Sequence, residues 1–265
     1  MSATDQTRGG FADELWRATT ERTPVAPLTD RDGNLDIEDA YAIQTAVTDK
    51  RLAAGARIVG RKVGLTSKPM QQLLGVSEPD FGVLFDDMVV EDGDEIDLST
   101  LLQPRVEAEL AFVMDRDLAG PGVNTATALQ AIGAVFPAIE VVDSRIADWK
   151  IKLVDTVADN ASSGLIVMGG RSKPVTDLDL RLVGTVVSRN GEMIDTGAGA
   201  AALGNPARCV AWLANKLGSF GDGLRAGDVV LPGAVHKMVP VAAGDVFRAD
   251  YAHLGPVTAR FSTGT

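Results

Sequence analysis

Apolar positions recur at helical intervals near the start of the chain. Phe11, Leu15 and Ala18 follow this spacing and predict a first short helix that ends before Pro24. The residues that precede Phe11 are polar, so we expect residues 1–10 to be loose. The chain is therefore predicted to begin with a polar arm and a short amphipathic helix.

A second helix is indicated by its capping residue and by its apolar stripe. Asp36 can serve as the N-cap, and the stripe begins at Ile37 and stops at Gly55. Asp39 adds negative charge to the first turn, where the helix dipole favours it. The two helices predict an N-terminal helical cap subdomain over residues 1–56.

From Arg57 onward the pattern changes to short β-rich runs separated by glycine and proline. A Gly-Asp pair precedes such a run at Gly93, Gly227 and Gly244, and each pair is typical of a turn that leads into a strand. Strands and helices do not alternate regularly, which argues against a parallel βαβ arrangement. We predict an α+β protein whose β-rich main domain covers residues 57–265.

Helices and a hairpin are also predicted inside this β-rich domain. The hairpin turns at Asn190-Gly191, the residue pair best suited to a type I′ turn. The predicted helices cover about residues 69–74, run from the N-cap Asn124 to about Val135, and run from the N-cap Asn205 through Pro206 to Gly218.

Composition and charge narrow the classes of partner. The chain has 265 residues, of which 45% are hydrophobic, enough to bury a sizeable core. Acidic residues outnumber Lys and Arg by 36 to 25, and the formal net charge is −11. Such a surface lacks the positive charge that binds nucleic acid. It also repels small anions unless a bound cation, a lysine or backbone N–H groups correct the field locally.

Cysteine usage and hydropathy bear on the compartment. Cys209 is the one cysteine, so an intrachain disulfide cannot form, and we predict that it is a small core residue. No stretch reaches the roughly 18 apolar residues that a membrane-spanning helix needs, and the N-terminus lacks the apolar segment of a secretion signal. We predict a soluble, cytoplasmic protein with neither nucleic acid nor membrane as a partner.

Two glutamates stand two residues apart in a strand-like run, residues 104–113. Because side chains alternate along a strand, Glu107 and Glu109 share one face, which continues into Ala111 and Val113. An ordinary solvated strand face is the simple alternative. Close like charges are unfavourable without a cation, however, so the pair also suggests a metal site.

A third glutamate, Glu140, lies in the apolar run of residues 136–142, where an unpaired carboxylate is costly. It either forms a buried ion pair with an arginine such as Arg105 or Arg145, or it joins the other two glutamates. In the second case the three carboxylates form an all-oxygen site, which suits Mg²⁺ best.

Several other polar positions have both a functional and a structural interpretation. Lys62, among small and apolar residues, is either a buried anion-binding or acid–base group or a solvated lysine at a sheet edge. Asp80 belongs to a turn-like Pro-Asp-Phe-Gly segment, for which capping is the simpler interpretation. The small polar loop of residues 157–164 either binds a carboxylate or closes a turn. Neither His236 nor His253 has a visible partner.

Four long motifs occur in order along the chain. They are VGRKVGLTSKPMQQLLGVSEPDFGVLF, LQPRVEAELAFVMDRDL, PAIEVVDSRIADWKIKLVDTVADNAS, and GDVVLPGA followed by MVPVAAGDVF. Together they resemble the 2-keto-4-pentenoate hydratase branch of the fumarylacetoacetate hydrolase superfamily, over about residues 11–261. The resemblance implies an α+β fold with a mixed β-roll or barrel that carries the active site and with an N-terminal helical cap.

The resemblance also implies roles for particular side chains. It implies that Glu107, Glu109 and Glu140 bind Mg²⁺ or Mn²⁺. It implies that Lys62 and Asp80 are catalytic and share the proton transfers. A substrate-binding role is implied for Leu84, Asn160 and Ser162.

The implied reaction adds water to 2-hydroxypenta-2,4-dienoate, through its 2-oxo-3-ene tautomer, to give 4-hydroxy-2-oxopentanoate in aromatic meta-cleavage catabolism. The implied assembly is a homo-oligomer, a pentamer or decamer, which can associate with an aldolase or decarboxylase of the pathway. Two alternatives stay open: a 4-oxalocrotonate decarboxylase, and a non-catalytic partner subunit of such a complex. Intact acidic residues and an intact lysine argue against the non-catalytic alternative.

Two segments depart from what the resemblance implies. Pro232 stands where many relatives have threonine, so we expect a hydroxyl contact to be absent there. Residues 235–237, Val-His-Lys, also differ, and we expect them to change the pocket wall. A decarboxylase pocket needs a basic residue for the second carboxylate of its substrate, and the candidates are Arg61, Arg145 and Lys237.

Overall fold

A computed structural model describes residues 3–263 of the chain. Its helices are α1 (Asp5–Glu21), α2 (Leu28–Arg31), α3 (Ile37–Ala53), α4 (Lys68–Leu74), α5 (Thr125–Ala131), α6 (Leu153–Ala158) and α7 (Pro206–Ser219). Its strands are β1 (Ile58–Gly64), β2 (Asp80–Phe85), β3 (Val89–Glu91), β4 (Glu95–Ile96), β5 (Arg105–Met114), β6 (Ile132–Val142), β7 (Ser163–Met168), β8 (Lys173–Pro174), β9 (Gly184–Arg189), β10 (Glu192–Ala198), β11 (Val229–Leu231), β12 (Val239–Pro240), β13 (Val246–Tyr251) and β14 (Gly255–Phe261). None of the helices in the described range has the length and apolarity that a bilayer span requires.

The strands form two sheets. The larger is a curled half-barrel with the order β2-β1-β11-β5-β6-β7-β3, to which β12 adds beside β5 and β8 beside β6. The smaller has the order β10-β9-β13-β14-β4. In the larger sheet β1 and β11 are parallel, whereas β1 and β2, β11 and β5, and β5 and β6 are antiparallel. The predicted α+β class and β-roll are therefore confirmed.

The N-terminal helices are joined by a polar network. Asp36 accepts a hydrogen bond from the Asp39 N–H, and the Asp39 side chain accepts one from the Asp36 N–H, which confirms the predicted N-cap of α3. The same Asp39 carboxylate lies 2.7 Å from the guanidinium of Arg8 on α1. The expectation that residues 1–10 are loose is therefore wrong for the described part, because Thr4 caps a helix that begins at Asp5. The boundary after residue 56 stays a prediction.

Two predicted helices begin at the expected caps, but one of them ends early. Asn124 accepts hydrogen bonds from the N–H groups of the first turn of α5, and Asn205 caps α7 in the same way. The helix predicted to reach Val135 ends at Ala131, because Ile132 and the residues after it pair with β5 as strand β6. Tertiary pairing thus overrides the helical pattern in this segment.

The predicted turns are confirmed. Asn190 and Gly191 both have positive φ, +54° and +87°, as a type I′ turn requires, and they join β9 to β10. Each of the three Gly-Asp pairs has its glycine in the left-handed region directly before a strand, β4, β11 or β13. The small helix predicted at residues 69–74 is α4.

The two faces of the larger sheet have different neighbours. The main apolar core includes Val106, Ala108 and Phe112 of β5, together with residues of α5, α7 and the smaller sheet. A second, smaller cluster includes Ala111 of β5 and Leu231 of β11. Because side chains alternate along a strand, Ala111 and Phe112 lie on opposite faces. The half-barrel therefore has an inner face that is separate from the main core.

Candidate active site

Sheet register brings three glutamates together on the inner face. Glu107 and Glu109 lie on the same side of β5, and Glu140 of β6 is the direct cross-strand neighbour of Glu107. Each of the three carboxylates offers an oxygen within 4.8 Å of the others. The spacing along one strand and the antiparallel pairing with the next thus produce a compact acidic cluster.

Burial makes this cluster electrostatically unfavourable. Glu109 and Glu140 are each 1% exposed, whereas Glu107 is partly exposed. Burial, reinforced by the charge of Glu140, raises the pKa of Glu107 to about 7. Burial likewise raises the pKa values of Glu109 and Glu140. A bound cation would offset both the desolvation and the mutual repulsion.

The donor set fits a hard divalent cation. In the described part of the chain Glu140 Oε2 has no hydrogen-bond partner, and Oε1 has an ion-pair contact with the Lys62 ammonium. The Glu109 carboxylate accepts one hydrogen bond, from the Gly233 N–H at 2.8 Å, which leaves lone pairs free. Buried polar atoms without partners are rare in folded proteins, and carboxylate oxygens are the ligands that Mg²⁺ and Mn²⁺ prefer.

Lys62 on β1 is buried beside the cluster. Its side chain is on the inner face, its ammonium lies 3.2 Å from Glu140 Oε1, and it donates a hydrogen bond to the Ala161 carbonyl at 2.9 Å. Burial lowers the pKa of Lys62, but the surrounding carboxylates, Glu140 first, outweigh it, so the net pKa is raised. The surrounding carboxylates therefore favour the protonated form of Lys62. The alternative of a solvated edge lysine is wrong, since the residue is 4% exposed.

Asp80 begins β2 and is held close to β1. It is 2% exposed, its Oδ1 has no hydrogen-bond partner among the described residues, and burial raises its pKa while Lys62 opposes the rise. Its cross-strand neighbour is Gly64. A Cβ on Gly64 would lie 2.2 Å from Asp80 Oδ1, so this approach requires glycine. Asp80 is therefore a buried site residue rather than a turn cap.

The glutamate-arginine pair considered from the sequence does not form. Glu140 contacts Lys62 instead, and Arg145 binds the Asp159 carboxylate and the carbonyls of Asp143 and Ser163. Burial raises the pKa of Asp159 to about 6, although Arg145 opposes the rise. This second buried ion pair anchors the loop that follows α6.

That loop contains consecutive residues in the left-handed region. Asn160, Ala161 and Ser162 have φ of +56°, +50° and +53°, a conformation that costs about 1–2 kcal/mol per L-residue. The turn aims the Ala161 carbonyl at Lys62. Such strain persists only where the surroundings impose it, and it is concentrated at functional sites.

The structure places the three predicted substrate-binding residues differently. Ser162 is buried, with its hydroxyl 3.3 Å from an Asp159 oxygen. Asn160 uses its side-chain amide to bind both the N–H and the C=O of Val83, so it fastens the turn to β2. Leu84 is buried in the apolar cluster on the inner face. Lys62, Asp80 and the glutamates form the polar end of that face.

Sequence reasoning missed His236, which was expected to lack a partner. Its side chain is fully buried, and its Nε2 accepts a hydrogen bond from the Ala108 N–H at 2.7 Å. The Val235 N–H donates to the Ala108 carbonyl at 3.0 Å. The imidazole is neutral, with its proton on Nδ1 toward the Lys237 carbonyl, and burial lowers its pKa. Residues 235–237, which depart from the expected motif, and β5 are therefore joined by hydrogen bonds at Ala108, between Glu107 and Glu109.

The sequence contains a signal for this role, but the signal does not show what the role is. Residues 235–237 depart from the expected motif, yet the contact arises because the chain leaves the sheet between β11 and β12 and both of these strands pair with β5. Pro232 lies buried directly after β11, and the next N–H, that of Gly233, is the donor to Glu109. Cys209 is buried in α7, as predicted.

Two of the three basic candidates for a second substrate carboxylate are committed elsewhere. Arg61 lies on the opposite face of β1 from Lys62 and pairs with Asp222 at 3.0 Å. Arg145 is held by Asp159. Lys237 is exposed beside His236. The described inner face therefore presents Lys62 as its buried cation.

Comparisons with known proteins identify the family and the fold. The model of the fumarylacetoacetate (FAA) hydrolase C-terminal family matches residues 52–262. The chain is 50% identical over 260 residues to a protein named 2-keto-4-pentenoate hydratase from Paraburkholderia xenovorans (strain LB400), covering 98% of this chain and 97% of the relative. It is 53% identical over 212 residues, 80% of this chain and 96% of the relative, to a 2-hydroxypent-2,4-dienoate hydratase of Pseudomonas putida.

A solved structure of similar fold contains a metal. It is 4-oxalocrotonate decarboxylase from Pseudomonas putida G7, complexed with magnesium and adipate. Its TM-score is 0.95 at 38% sequence identity, and the match covers 98% of both chains.

The hydrogen bond from Ala108 to His236 predicts an effect on stability. Replacement of His236 by leucine leaves the buried Ala108 N–H without an acceptor, which costs about 1–3 kcal/mol. His236→Gln retains an acceptor oxygen, so we expect at least half of the loss to be recovered. Urea unfolding of both variants and of the surface control His253→Gln measures this. Equal loss of stability in the leucine and glutamine variants would contradict the assigned hydrogen bond.

Proposed function

The chain belongs to the fumarylacetoacetate hydrolase family, and from that membership we propose that it is a divalent-metal-dependent hydratase. Its substrate is 2-hydroxypenta-2,4-dienoate and its product is 4-hydroxy-2-oxopentanoate, within the meta-cleavage breakdown of aromatic compounds. The hydratases that are about half identical over nearly the whole chain support this substrate. The observation that carries the proposal is the buried cluster of three glutamates beside Lys62 and Asp80.

Glu107, Glu109 and Glu140 are the proposed ligands of Mg²⁺ or Mn²⁺. Their buried, incompletely hydrogen-bonded oxygens support this assignment. When bound, the ion supplies open coordination positions for the substrate carboxylate and 2-oxygen, together with charge that offsets the acidic site. Magnesium in the similar decarboxylase supports a divalent ion of this kind.

Lys62 and Asp80 have different protonation behaviour, which suggests different roles. Lys62 keeps its proton because the carboxylates raise its pKa, so it provides fixed positive charge where negative charge develops on the 2-oxygen. Burial raises the pKa of Asp80 and its Oδ1 has no partner among the described residues, so its protonated form is favoured and the carboxyl is placed to exchange a proton with the substrate. We assign the mobile proton to Asp80.

The reaction then needs two proton movements and one addition of water. The 2-hydroxyl loses its proton while carbon 5 gains one, which gives the 2-oxo-3-ene. Water oxygen next bonds to carbon 4, and carbon 3 gains a proton, so that the net change is one molecule of water. Asp80 is proposed to relay these protons. The hydrogen bond from Lys62 to the Ala161 carbonyl is proposed to fix the position of the Lys62 ammonium beside the reacting atoms.

The apolar part of the inner face suits an uncharged substrate tail. Leu84, Ala111, Ile166 and Leu231 form this surface on the same face as the acidic cluster. A second carboxylate placed there would be buried without a partner, which is costly. This observation favours the hydratase over the decarboxylase alternative. The buried and complete set of five ionisable groups disfavours a non-catalytic subunit.

The proposal extends to substrate orientation and to assembly. Ser162, buried beside Asp159 in the strained turn, is proposed to orient the substrate carboxylate, with Asn160 holding the turn and Leu84 contacting the tail. Exposed Met193 and Ile194 on the edge strand β10 support a homo-oligomer. A pentamer or decamer, a pathway aldolase or decarboxylase as partner, and a cytoplasmic location remain predictions.

Direct assay separates the candidate activities. We expect the purified protein to consume 2-hydroxypenta-2,4-dienoate in the presence of Mg²⁺ without releasing carbon dioxide, and EDTA to abolish the loss of ultraviolet absorbance. With 2-oxohex-3-enedioate we expect little release of carbon dioxide. Carbon dioxide from the diacid would transfer the assignment to the decarboxylase, and inertness toward both compounds would reject both activities.

The proton role of Asp80 predicts a loss of kcat. Asp80→Asn has nearly the same shape but cannot carry the proton, so kcat should fall about 100-fold or more. Mn²⁺ affinity should change little, because Asp80 is not one of the proposed ligands. Asp94→Asn, which changes an exposed aspartate, is the matched control. A kcat for Asp80→Asn within threefold of wild type would exclude the relay.

Metal binding should depend on pH. Ligand carboxylates must be deprotonated, and the pKa of Glu107 is raised to about 7, so affinity is lost as pH falls through that value. We expect the Kd for Mn²⁺ from calorimetry to rise about tenfold or more between pH 8 and pH 6. Glu107→Gln should weaken binding at both pH values, and exposed Glu192→Gln should not. Wild-type affinity in Glu107→Gln would refute the ligand assignment.

A further inference from the structure

The site is least buried at Glu107, which we therefore take as the position of its opening. Among the five buried or partly buried ionisable groups, Glu107 is the one with intermediate exposure, whereas Lys62, Asp80, Glu109 and Glu140 are 1–4% exposed. Arg105 is two residues before Glu107, so it lies on the same face of β5, about 7 Å farther along the strand. Arg105 is therefore the next side chain outward from the opening.

We propose that Arg105, held against Trp149, is a recruiting group that captures the carboxylate of the incoming substrate at this opening. The inference rests on the proposed function for the identity of the substrate, a small 2-oxo or 2-hydroxy carboxylate. It assigns Arg105 no part in the bond-making steps.

The Arg105 guanidinium packs against a platform formed by Asp148 and Trp149. Its carbon lies 4.4 Å from the centre of the Trp149 ring, a cation–π geometry. The indole N–H donates to the Gln103 carbonyl at 3.0 Å, and the Asp148 N–H donates to the Gln103 side chain at 2.7 Å. The amide nitrogen of Gln103 in turn donates to carbonyls of the same loop, those of Ser144 and Ile146. One residue, Gln103, thus holds this platform through both its backbone carbonyl and its side chain.

The platform also contains backbone strain. Asp148 and Trp149 have φ of +59° and +56°, and neither is glycine. Each such residue costs about 1–2 kcal/mol, and two in succession place the indole beneath Arg105. Observed strain of this kind points to a functional constraint on the position of the side chain.

The Arg105 side chain keeps its donors available. No carboxylate of the described residues lies within 4.0 Å of its guanidinium, and its hydrogen-bond contact is a weak one to Met238 Sδ at 3.7 Å. It lines an open groove of about 380 Å³ with Trp149, Pro240 and Val241. A planar guanidinium with free donors binds a carboxylate through two parallel hydrogen bonds.

Charge explains why such a group is needed. The chain carries a net charge of −11, and the three carboxylates of the site lie close together behind Glu107, so an anion approaches against a repulsive field. Lys62 is too deeply buried to act outside. A half-exposed guanidinium beside Glu107 reverses the field locally. Because salt screens exposed charges, this effect must weaken at high ionic strength.

Steady-state kinetics at two salt concentrations test the proposal. With saturating Mg²⁺ and 2-hydroxypenta-2,4-dienoate, Arg105→Gln should lower kcat/KM about tenfold at 20 mM salt, change kcat less than twofold, and lose most of the salt dependence. Trp149→Leu should show a smaller loss of the same kind, and Trp149→Phe should approach wild type. Arg116→Gln is the matched control, because it removes the same charge from an exposed arginine just beyond the other end of β5.

Two results would overturn the proposal. Equal losses in Arg105→Gln and Arg116→Gln would show an effect of net charge alone. A fall in kcat together with weaker Mn²⁺ binding would show that Arg105 positions Glu107 instead. Stopped-flow binding of 2-oxopentanoate, which cannot be hydrated, to the Mn²⁺-loaded protein separates this inference from the proposed function. A salt-dependent association rate that needs Arg105 would support recruitment even if the dienoate is not turned over.

Discussion

The burial of three carboxylates next to one lysine is the constraint on which the rest of this structure depends. One cation, Lys62, cannot neutralise the charges of Glu107, Glu109, Glu140 and Asp80. Burial and repulsion therefore raise the pKa values of the acids, and the folded chain keeps this unfavourable arrangement only because strong packing surrounds it. A site that is costly without a cation is a site prepared to bind one.

The surrounding backbone accommodates these buried charges. Gly64 lets Asp80 approach β1, the N–H of Gly233 reaches Glu109, and the left-handed turn supplies the Ala161 carbonyl to Lys62. Each of these contacts satisfies or orients a charged group at a point where an ordinary side chain or an ordinary turn would fail. The strained conformation of the turn is maintained by the Arg145–Asp159 ion pair and by the hydrogen bonds of Asn160 to β2.

How far the sequence predicts this site depends on the range of the interactions. The shared face of Glu107 and Glu109 follows from strand alternation, and local rules also predict the caps Asp36 and Asn205 and the Asn190-Gly191 turn. That Glu140 lies opposite Glu107 depends on cross-strand register, for which the motif resemblance supplied the expectation. The hydrogen bond from Ala108 to His236 and the early end of α5 depend on nonlocal pairing with β5, which no local pattern records.

Division of one sheet face into a charged end and an apolar end also explains how the site can discriminate between substrates. An extra methylene in the apolar end changes binding by about 1–3 kcal/mol, so tail length is a weak criterion. A second carboxylate in that end would lose its hydration beside Leu84 and Leu231. Lys62, the buried cation of this face, already contacts Glu140, whereas Arg61 faces away and Arg145 is committed to Asp159. Selection against the diacid therefore comes from what the apolar end lacks, whereas binding of the 2-oxo acid depends on the charged end. Because the fold can stay the same while the side chains of the apolar end change, close similarity in fold is compatible with a different reaction.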